Sequence, residues 1–260
     1  EAYGMILPLV TRTAYKTGMV IPTASVKPTA TWVAEGAGSD KQKKALSGTI
    51  TFGHFKLRCA VAVTLETENM AYSAFETTLV KNIVEAMAKA LEMAIISGTG
   101  SGQPTGILTD DSKGAKLEVS ALDYQTLINA EAELPMEYEN GAVWVMTKKT
   151  FMQFIGMVDK NGQPIARVNY GIGGKPERIL LGRTVKLTNY IDTFNESLGA
   201  GKVFAFLYNF ADYTLNTNFQ IGIKTYEDND TDDIIRKMIM VCDGKPIIYD
   251  SLVKLVKAGE

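Results

Sequence analysis

A long amphipathic helix that runs directly into a glycine-rich loop constrains this chain more than any other feature. The stretch from Tyr72 to Ser97 reads YSAFETTLVKNIVEAMAKALEMAIIS, and its apolar residues recur at helical spacing. Ser73 and Glu76 have the spacing of a capping box at its start. At about 1.5 Å per residue the helix spans close to 40 Å, which is long for a globular protein. The predicted buried stripe comprises Leu79, Ile83, Ala86, Ala90 and Ala94, widened by Phe75, Met87 and Leu91.

The loop after this helix, SGTGSGQPTGIL from Ser97 to Leu108, has the glycine content of a phosphate-binding loop. Its context differs, because the glycines of a dinucleotide fingerprint follow a strand and open a helix. The spacing G-x-G-x-x-x-G also differs, and no Lys-Ser or Lys-Thr pair completes a P-loop. We therefore predict that Gly98 takes the left-handed conformation that ends a helix and that Pro104 prevents its resumption. The predicted helix-stop loop comprises Gly98, Gly100, Gly102, Pro104 and Gly106.

The residues before the helix predict an extended arm followed by a long hairpin. The first forty residues contain Pro8, Pro22 and Pro28 and show no sustained helical period. Residues 57–65 alternate between apolar and polar or small side chains, and residues 31–34 are also extended. Between them lies a polar tip that has almost nothing apolar to bury on its own subunit. We expect such a hairpin to need another surface to lie on.

The remaining chain predicts alternating short elements. Ser120 is predicted to cap a helix through Leu134, and Thr147 a second helix, KKTFMQFIGMVD. Asp243-Gly244 is predicted to form a turn before the C-terminal segment. The predicted strands are residues 142–147, 179–181, 184–187, 203–207, 219–225 and 234–241.

Composition excludes several classes of function. The net charge of −2 gives no global basic field for nucleic acid or an anionic membrane, and no apolar run is long enough to span a bilayer. Cys59 and Cys242 match no metal or redox spacing; we interpret them as reduced thiols, with a disulfide left open. No signal peptide is evident, and because the sequence begins at Glu1 we expect that an upstream segment was removed or is missing.

No constellation of residues predicts catalysis or a cofactor. His54 is the single histidine and lies between Gly53 and Phe55, and its sequence context favours a surface or packing residue over a general base. An acidic run begins like a calcium-binding loop, but Asp233 replaces the turn glycine and Ile239 stands where a bidentate glutamate belongs. We therefore favour a solvated or partner-facing loop over a metal site. The run comprises Glu227, Asp228, Asp230, Asp232 and Asp233.

The ordered set of elements resembles the major capsid proteins of tailed phages, which share the Hong Kong 97-type shell fold. The resemblance runs over essentially the whole chain, and its most specific part is the sequence from Gly98 to Leu108 directly after a long helix. WVAEG at Trp32 to Gly36 and VWVMT…VDKNGQP at Val143 to Pro164 add to it. The resemblance implies an α+β fold and a structural role without enzymatic activity or a cofactor.

The resemblance also implies a domain organisation. Residues 1–22 correspond to the end of an N-terminal arm, and residues 23–58 to an extended E-loop hairpin. Residues 59–111 and 216–247 correspond to a peripheral domain, with a spine helix over about 72–97. Residues 112–215 and 248–260 correspond to an axial domain that meets the five- and six-fold axes.

By the same resemblance, the chain self-assembles in the host cytoplasm into the pentamers and hexamers of a virion that encloses double-stranded DNA. A scaffolding segment, a maturation protease and a portal are the other expected partners, and no membrane is involved. An encapsulin-type shell that encloses protein cargo is the alternative, and an unrelated α+β enzyme ranks third. Some relatives link a lysine to an asparagine between subunits, but we favour non-covalent assembly.

Within that assembly, the basic tip of the hairpin is predicted to pair with the acidic run of a neighbouring subunit. The candidate contacts on the tip are Lys41, Lys43 and Lys44. The alternative is that both charged clusters are merely solvated.

Overall fold

The computed structural model describes residues 4–15, 20–24, 32–33, 35, 46–63, 72–158, 166–169, 177–229, 231 and 233–259. In these residues the helices are α1 (Tyr72–Ser97), α2 (Tyr124–Ala132) and α3 (Lys148–Ile155), with short 3₁₀ helices at Met136–Tyr138 and Phe210–Asp212. The strands, in chain order, are β1 (Thr11–Thr13), β2 (Val20–Ala24), β3 (Leu46–Thr51), β4 (Phe55–Val63), β5 (Ala115–Val119), β6 (Val143–Met146), β7 (Ala166–Asn169), β8 (Glu177–Leu180), β9 (Arg183–Leu187), β10 (Val203–Tyr208), β11 (Tyr213–Glu227), β12 (Ile234–Pro246) and β13 (Val253–Lys257).

A four-stranded sheet in the order β1-β11-β12-β4 carries the long helix α1. Strands β11 and β12 form an antiparallel hairpin, which confirms and lengthens the predicted pair at residues 219–225 and 234–241. The underside of α1 packs on this sheet because its apolar residues repeat at intervals of four. That cluster comprises Leu79, Ile83, Met87, Val63 and Met238.

The predicted partner of the alternating strand at residues 57–65 is wrong. Strand β4 pairs with β12, from Val63 opposite Ile234 to Phe55 opposite Cys242. The hairpin instead joins β2 to β3 in a separate two-stranded sheet. Alternation predicts that a segment is a strand with one buried face, whereas its hydrogen-bonded neighbour is set by the tertiary fold.

The second and larger sheet is mixed and has seven strands, in the order β5-β13-β10-β6-β9-β8-β7. Its interior strand β10, VFAFLY, is buried along almost its whole length, as is typical of a strand covered on both faces. Helices α2 and α3 pack their apolar residues against it, with Phe151 and Phe154 beside Trp144 and Phe204. Three separate sheets with few helices constitute an α+β fold, as predicted.

A shared cluster of apolar residues connects the two sheets. Ile95 and Ile96 at the end of α1, and Ile107 after it, are fully buried against Phe206 and Tyr208 of β10. The stretch that ends α1 therefore lies in the core between the two sheets.

Three local predictions differ from the structure. Ala86, predicted to lie in the buried stripe of α1, is exposed, and the next residue, Met87, is buried there. Helix α2 is capped by Asp123, whose side chain accepts a hydrogen bond from Tyr124 N, and not by Ser120. Asp243 and Gly244 lie within β12 and form no turn, because both are paired with β11. Thr147 does cap α3, accepting a hydrogen bond from Thr150 N.

Candidate functional site

The helix-stop loop folds back on α1 and completes its last turn. The N–H of Ile107 donates to the carbonyl of Ile95 at 2.9 Å, and the N–H of Leu108 to that of Ile96 at 2.9 Å. Helix ends leave such carbonyls without a partner inside the helix, so the returning chain satisfies them. Gly106 N also donates to Gly98 O at 2.7 Å, which closes the loop on itself.

The predicted left-handed conformation of Gly98 is wrong. Among the loop glycines, positive φ occurs at Gly100 and Gly102, at +76° and +72°. Gly98 is needed for a different reason: a Cβ there would overlap the Pro104 carbonyl oxygen and lie 2.5 Å from the Ala94 carbonyl oxygen. The position requires glycine because two backbone segments come into close contact there, and not because Gly98 takes a left-handed conformation.

The helix-stop loop meets β11, β12 and the segment between β3 and β4 at one junction. We define this junction by Gly53, Thr105, Tyr213, Asp243 and Gly244. Thr105 N donates to Gly244 O at 2.8 Å, and the Tyr213 hydroxyl donates to Thr105 O at 3.0 Å. A Cβ on Gly244 would lie 2.5 Å from the Tyr213 hydroxyl oxygen, so the glycine makes room for the ring. The junction therefore ties the helix-stop loop to β11 and β12.

The same junction holds the base of the β2–β3 hairpin. Asp243 Oδ2 accepts a hydrogen bond from Gly53 N at 2.6 Å, and its Oδ1 accepts one from Gly244 N at 2.8 Å. Lys245 Nζ donates to Thr51 O at 2.7 Å. The residue pair Asp243-Gly244 predicts a turn, so its sequence gives no sign of this role.

Burial controls the charges at the junction. It raises the pKa of the Cys242 thiol to about 11, and the negative charge of Asp243 adds to that effect. Burial is also the main cause of the raised pKa of the Tyr213 phenol, and the Asp243 carboxylate is the second. Both side chains are therefore neutral at pH 7. Cys59 and Cys242 are free thiols, as interpreted. They lie on the neighbouring strands β4 and β12, but Cys59 is opposite Met238 and Cys242 is opposite Phe55, so the two cysteines are four positions apart in the register.

A buried lysine anchors the chain beyond the loop. Lys254 of β13 is buried, and its Nζ donates to the carbonyls of Asp111 at 3.0 Å and Asp110 at 3.4 Å. Burial lowers the pKa of this amine, and the nearby carboxylates of Asp111 and Asp110 oppose the shift. The loop is thus held by β12 on one side and by the seven-stranded sheet on the other.

A buried glutamate in α1 holds the N-terminal segment. Glu92 is 2% exposed, and its Oε1 accepts hydrogen bonds from Ile6 N at 2.7 Å and Leu7 N at 3.3 Å. Ile6 and Val10 are buried beside it, and β1 then pairs in parallel with β11. Sequence analysis missed Glu92, although a lone charge inside the apolar run ALEMAII is the signal that could have found it.

The predicted charged contacts lie largely outside the described residues. Lys41, Lys43, Lys44, Asp230 and Asp232 belong to that undescribed part, so their pairing across subunits stays a prediction. Of the remaining acidic residues, Glu227 is exposed, and Asp228 N donates to Asp233 O at 2.9 Å where β11 turns into β12.

Apolar side chains stand in solvent at several places on the surface. Trp32 is fully exposed in a single subunit, and Val33 beside it is half exposed. Val84 and Met93 are exposed on α1, and Met136 is exposed at the start of the first 3₁₀ helix. His54 is exposed at the base of the hairpin.

The described residues contain neither a cluster suited to a metal ion nor a helix suited to a membrane. No group of three or more His, Cys, Asp or Glu side chains there is placed to hold a metal ion. None of the helices in the described ranges is both long and apolar enough to cross a lipid bilayer.

Comparison with known proteins places this architecture. A model of the phage capsid family matches residues 1–257. The chain belongs to that family. A stretch of 110 residues is 36% identical to the major capsid protein of Escherichia phage T5, covering 39% of this chain and 24% of that protein. The chain thus aligns with about a quarter of the length of this curated relative.

Solved structures show the same fold at low identity. The capsid of a native GTA particle, computed with C5 symmetry, superposes with a TM-score of 0.77 at 18% identity, covering 98% of this chain and 90% of that one. The holo-SrpI encapsulin complex from Synechococcus elongatus PCC 7942 gives a TM-score of 0.70 at 10% identity, covering 99% and 89%. The predicted capsid-like α+β fold and the predicted family are confirmed.

Proposed function

We propose that this chain is the major capsid subunit of a tailed phage or prophage and assembles with copies of itself into an icosahedral head. The observation that carries the proposal is membership of the phage capsid family over residues 1–257. The fold supports it, because capsid subunits of a GTA particle cover 98% of the chain. Family membership also supports a structural role in place of an enzymatic one.

The domain organisation of a Hong Kong 97-type subunit fits the observed elements. In this proposal α1 is the spine helix and, with β4, β11 and β12, belongs to the peripheral domain. The seven-stranded sheet belongs to the axial domain, residues 112–215 and 248–260. The β2–β3 hairpin belongs to the extended E-loop, and residues 4–15 to the end of the N-terminal arm.

Exposed apolar side chains support contacts between subunits. A fully exposed tryptophan is rare on a monomer and typical of a residue buried in an assembly. In the proposed shell, Trp32 and Val33 of the hairpin region contact a neighbouring subunit. The proposed shell consists of pentamers and hexamers. Its other proposed partners are a scaffolding segment, a maturation protease and a portal, and its proposed contents are double-stranded DNA.

An encapsulin-type shell is the second candidate, favoured by the TM-score of 0.70 with the encapsulin. The two candidates differ in what the particle encloses. Particles are isolated from cells that carry the gene in its natural setting, treated with nuclease and protease, and then opened. Protected double-stranded DNA supports the phage head, protected folded protein supports the encapsulin reading, and the absence of particles contradicts both.

A further inference from the structure

The C-terminal strand of the β2–β3 hairpin joins the rest of the subunit through a three-residue hinge, residues 52–54, between β3 and β4. Phe52 is 4% exposed, so one side of the hinge is held by apolar burial. Gly53 follows it and offers its N–H to a group on another strand. The hairpin is also connected to β1 through the chain before β2, where Asn216 binds the backbone of Tyr15. The direction in which β3 leaves the subunit therefore depends in part on what holds residues 52–54.

Strand β12 holds the hinge through two side chains, Asp243 and Lys245, which lie two residues apart. Asp243 is 1% exposed, and its two carboxylate oxygens accept the N–H groups of Gly53 and Gly244 at 2.6 and 2.8 Å. Hydrogen bonds to an ionised carboxylate are short and about twice as strong as neutral ones. Lys245 adds a second anchor, since its Nζ lies 2.7 Å from the carbonyl oxygen of Thr51.

The same stretch of β12 also fixes the end of α1. Gly244 O accepts the N–H of Thr105 in the helix-stop loop, while Gly244 N is held by Asp243. Two neighbouring residues thus connect the hinge of the hairpin to the loop that ends the long helix. A shift of the hairpin base relative to α1 has to break at least one of these contacts.

We propose that Asp243 is a positioning residue for shell assembly, which sets the angle at which the β2–β3 hairpin leaves the subunit by holding the backbone of Gly53. The inference rests on the proposed function, because the angle matters only when the hairpin meets a neighbouring subunit. Strand β3 has six residues, and at about 3.3 Å per residue it reaches about 20 Å from the hinge. A rotation of about 10° at the hinge then moves its far end by about 3.5 Å, enough to misalign an interface packed as tightly as a protein interior.

The test compares Asp243→Asn with a matched control, Asp192→Asn, in the full chain. Asparagine keeps the shape of the side chain but has a single oxygen acceptor, so at position 243 one of the two N–H groups loses its partner. Asp192→Asn makes the same change from carboxylate to amide at an exposed residue that is not part of the junction. Cooperative unfolding, amide hydrogen exchange at residues 53 and 244, and electron microscopy of the particles are measured for each.

We expect Asp243→Asn to fold, to exchange the Gly53 or Gly244 amide at least about tenfold faster, and to give irregular or fewer shells. Asp192→Asn is expected to give shells like those of the wild type. Asp243→Asn shells of wild-type yield and diameter, together with the faster exchange, would overturn the proposal and leave the proposed function intact. Wild-type protein that forms no particles would overturn the proposed function itself.

A second variant covers the case in which Asp243→Asn does not fold. Lys245 is half-buried at the surface, and Lys245→Met keeps its methylene chain while removing the donor to Thr51 O. Irregular shells from this folded variant support the anchoring of the hinge. Normal shells from it would overturn the anchoring role of this stretch of β12.

Discussion

Substituting Gly98 by alanine tests the close contact at the end of the long helix. The added Cβ would overlap the Pro104 carbonyl oxygen and approach the Ala94 carbonyl oxygen to 2.5 Å, and both atoms belong to the backbone. Neither can rotate away as a side chain does, so the loop has to move. We therefore expect the loop to separate from the helix end, with loss of the hydrogen bonds that close it.

The magnitude follows from those hydrogen bonds. Gly98 O accepts from Gly106 N at 2.7 Å and from Thr109 Oγ1 at 2.5 Å, and Gly100 N donates to Pro104 O at 3.3 Å. At about 0.5–1.5 kcal/mol each, the loss of these three bonds lowers the free energy of unfolding by about 1.5–4.5 kcal/mol. Urea unfolding of the unassembled chain measures this change as a shift of the midpoint at constant slope.

Gly102→Ala is the matched control. Gly102 has φ +72°, but an added Cβ there meets nothing within 4 Å. Its substitution carries only the strain of a left-handed alanine, about 1–2 kcal/mol. If Gly98→Ala lowers the free energy of unfolding by no more than Gly102→Ala does, then close contact is not the reason for the glycine at position 98.

Three further predictions concern the anchors, the charged clusters and the buried thiol. Glu92→Ala removes the acceptor of two backbone N–H groups, so hydrogen exchange at Ile6 and Leu7 becomes faster while Ile83 stays protected; unchanged exchange at Ile6 and Leu7 would refute the anchor. Reversing Lys41, Lys43 and Lys44 to Glu is expected to impair assembly, and reversing Glu227, Asp228 and Asp230 to Lys in the same chain to restore it in part; a double reversal that assembles no better than the single one contradicts the pairing. The Cys242 pKa is raised from 9.0 to about 11, so the unfolded chain releases this proton first and stability falls as the pH rises from 9 towards 11; Cys242→Ser should lessen that fall, and an equal fall in both proteins contradicts the assignment.

Local sequence patterns predicted the elements whose geometry is local. Helix α1 spans Tyr72–Ser97, the predicted residues, because its apolar spacing and the glycine-rich stop are both encoded within a short window. The predicted strand at residues 234–241 likewise lies within β12. The alternation or helical spacing of apolar residues involves only residues that are close in sequence, so it predicts these elements without knowledge of their partners.

Features that depend on distant partners could not be predicted in the same way. Asp243-Gly244 has the composition of a turn, but β11 pairs with both residues and Gly53, distant in sequence, binds the Asp243 carboxylate. Lys254 resembles a surface residue in sequence, yet carbonyls of residues 110 and 111 bind it in the interior. No local rule connects these pairs, because the contacts exist only once both sheets have packed together.

The most direct test of the account is a cryo-electron microscopy reconstruction of particles formed by this chain. We predict a closed icosahedral shell in which each subunit superposes on the structure described above and the β2–β3 hairpin, with Trp32, lies against a neighbouring subunit. A chain that stays a folded monomer at every concentration, or a shell in which Trp32 faces solvent and the hairpin contacts only its own subunit, would contradict it.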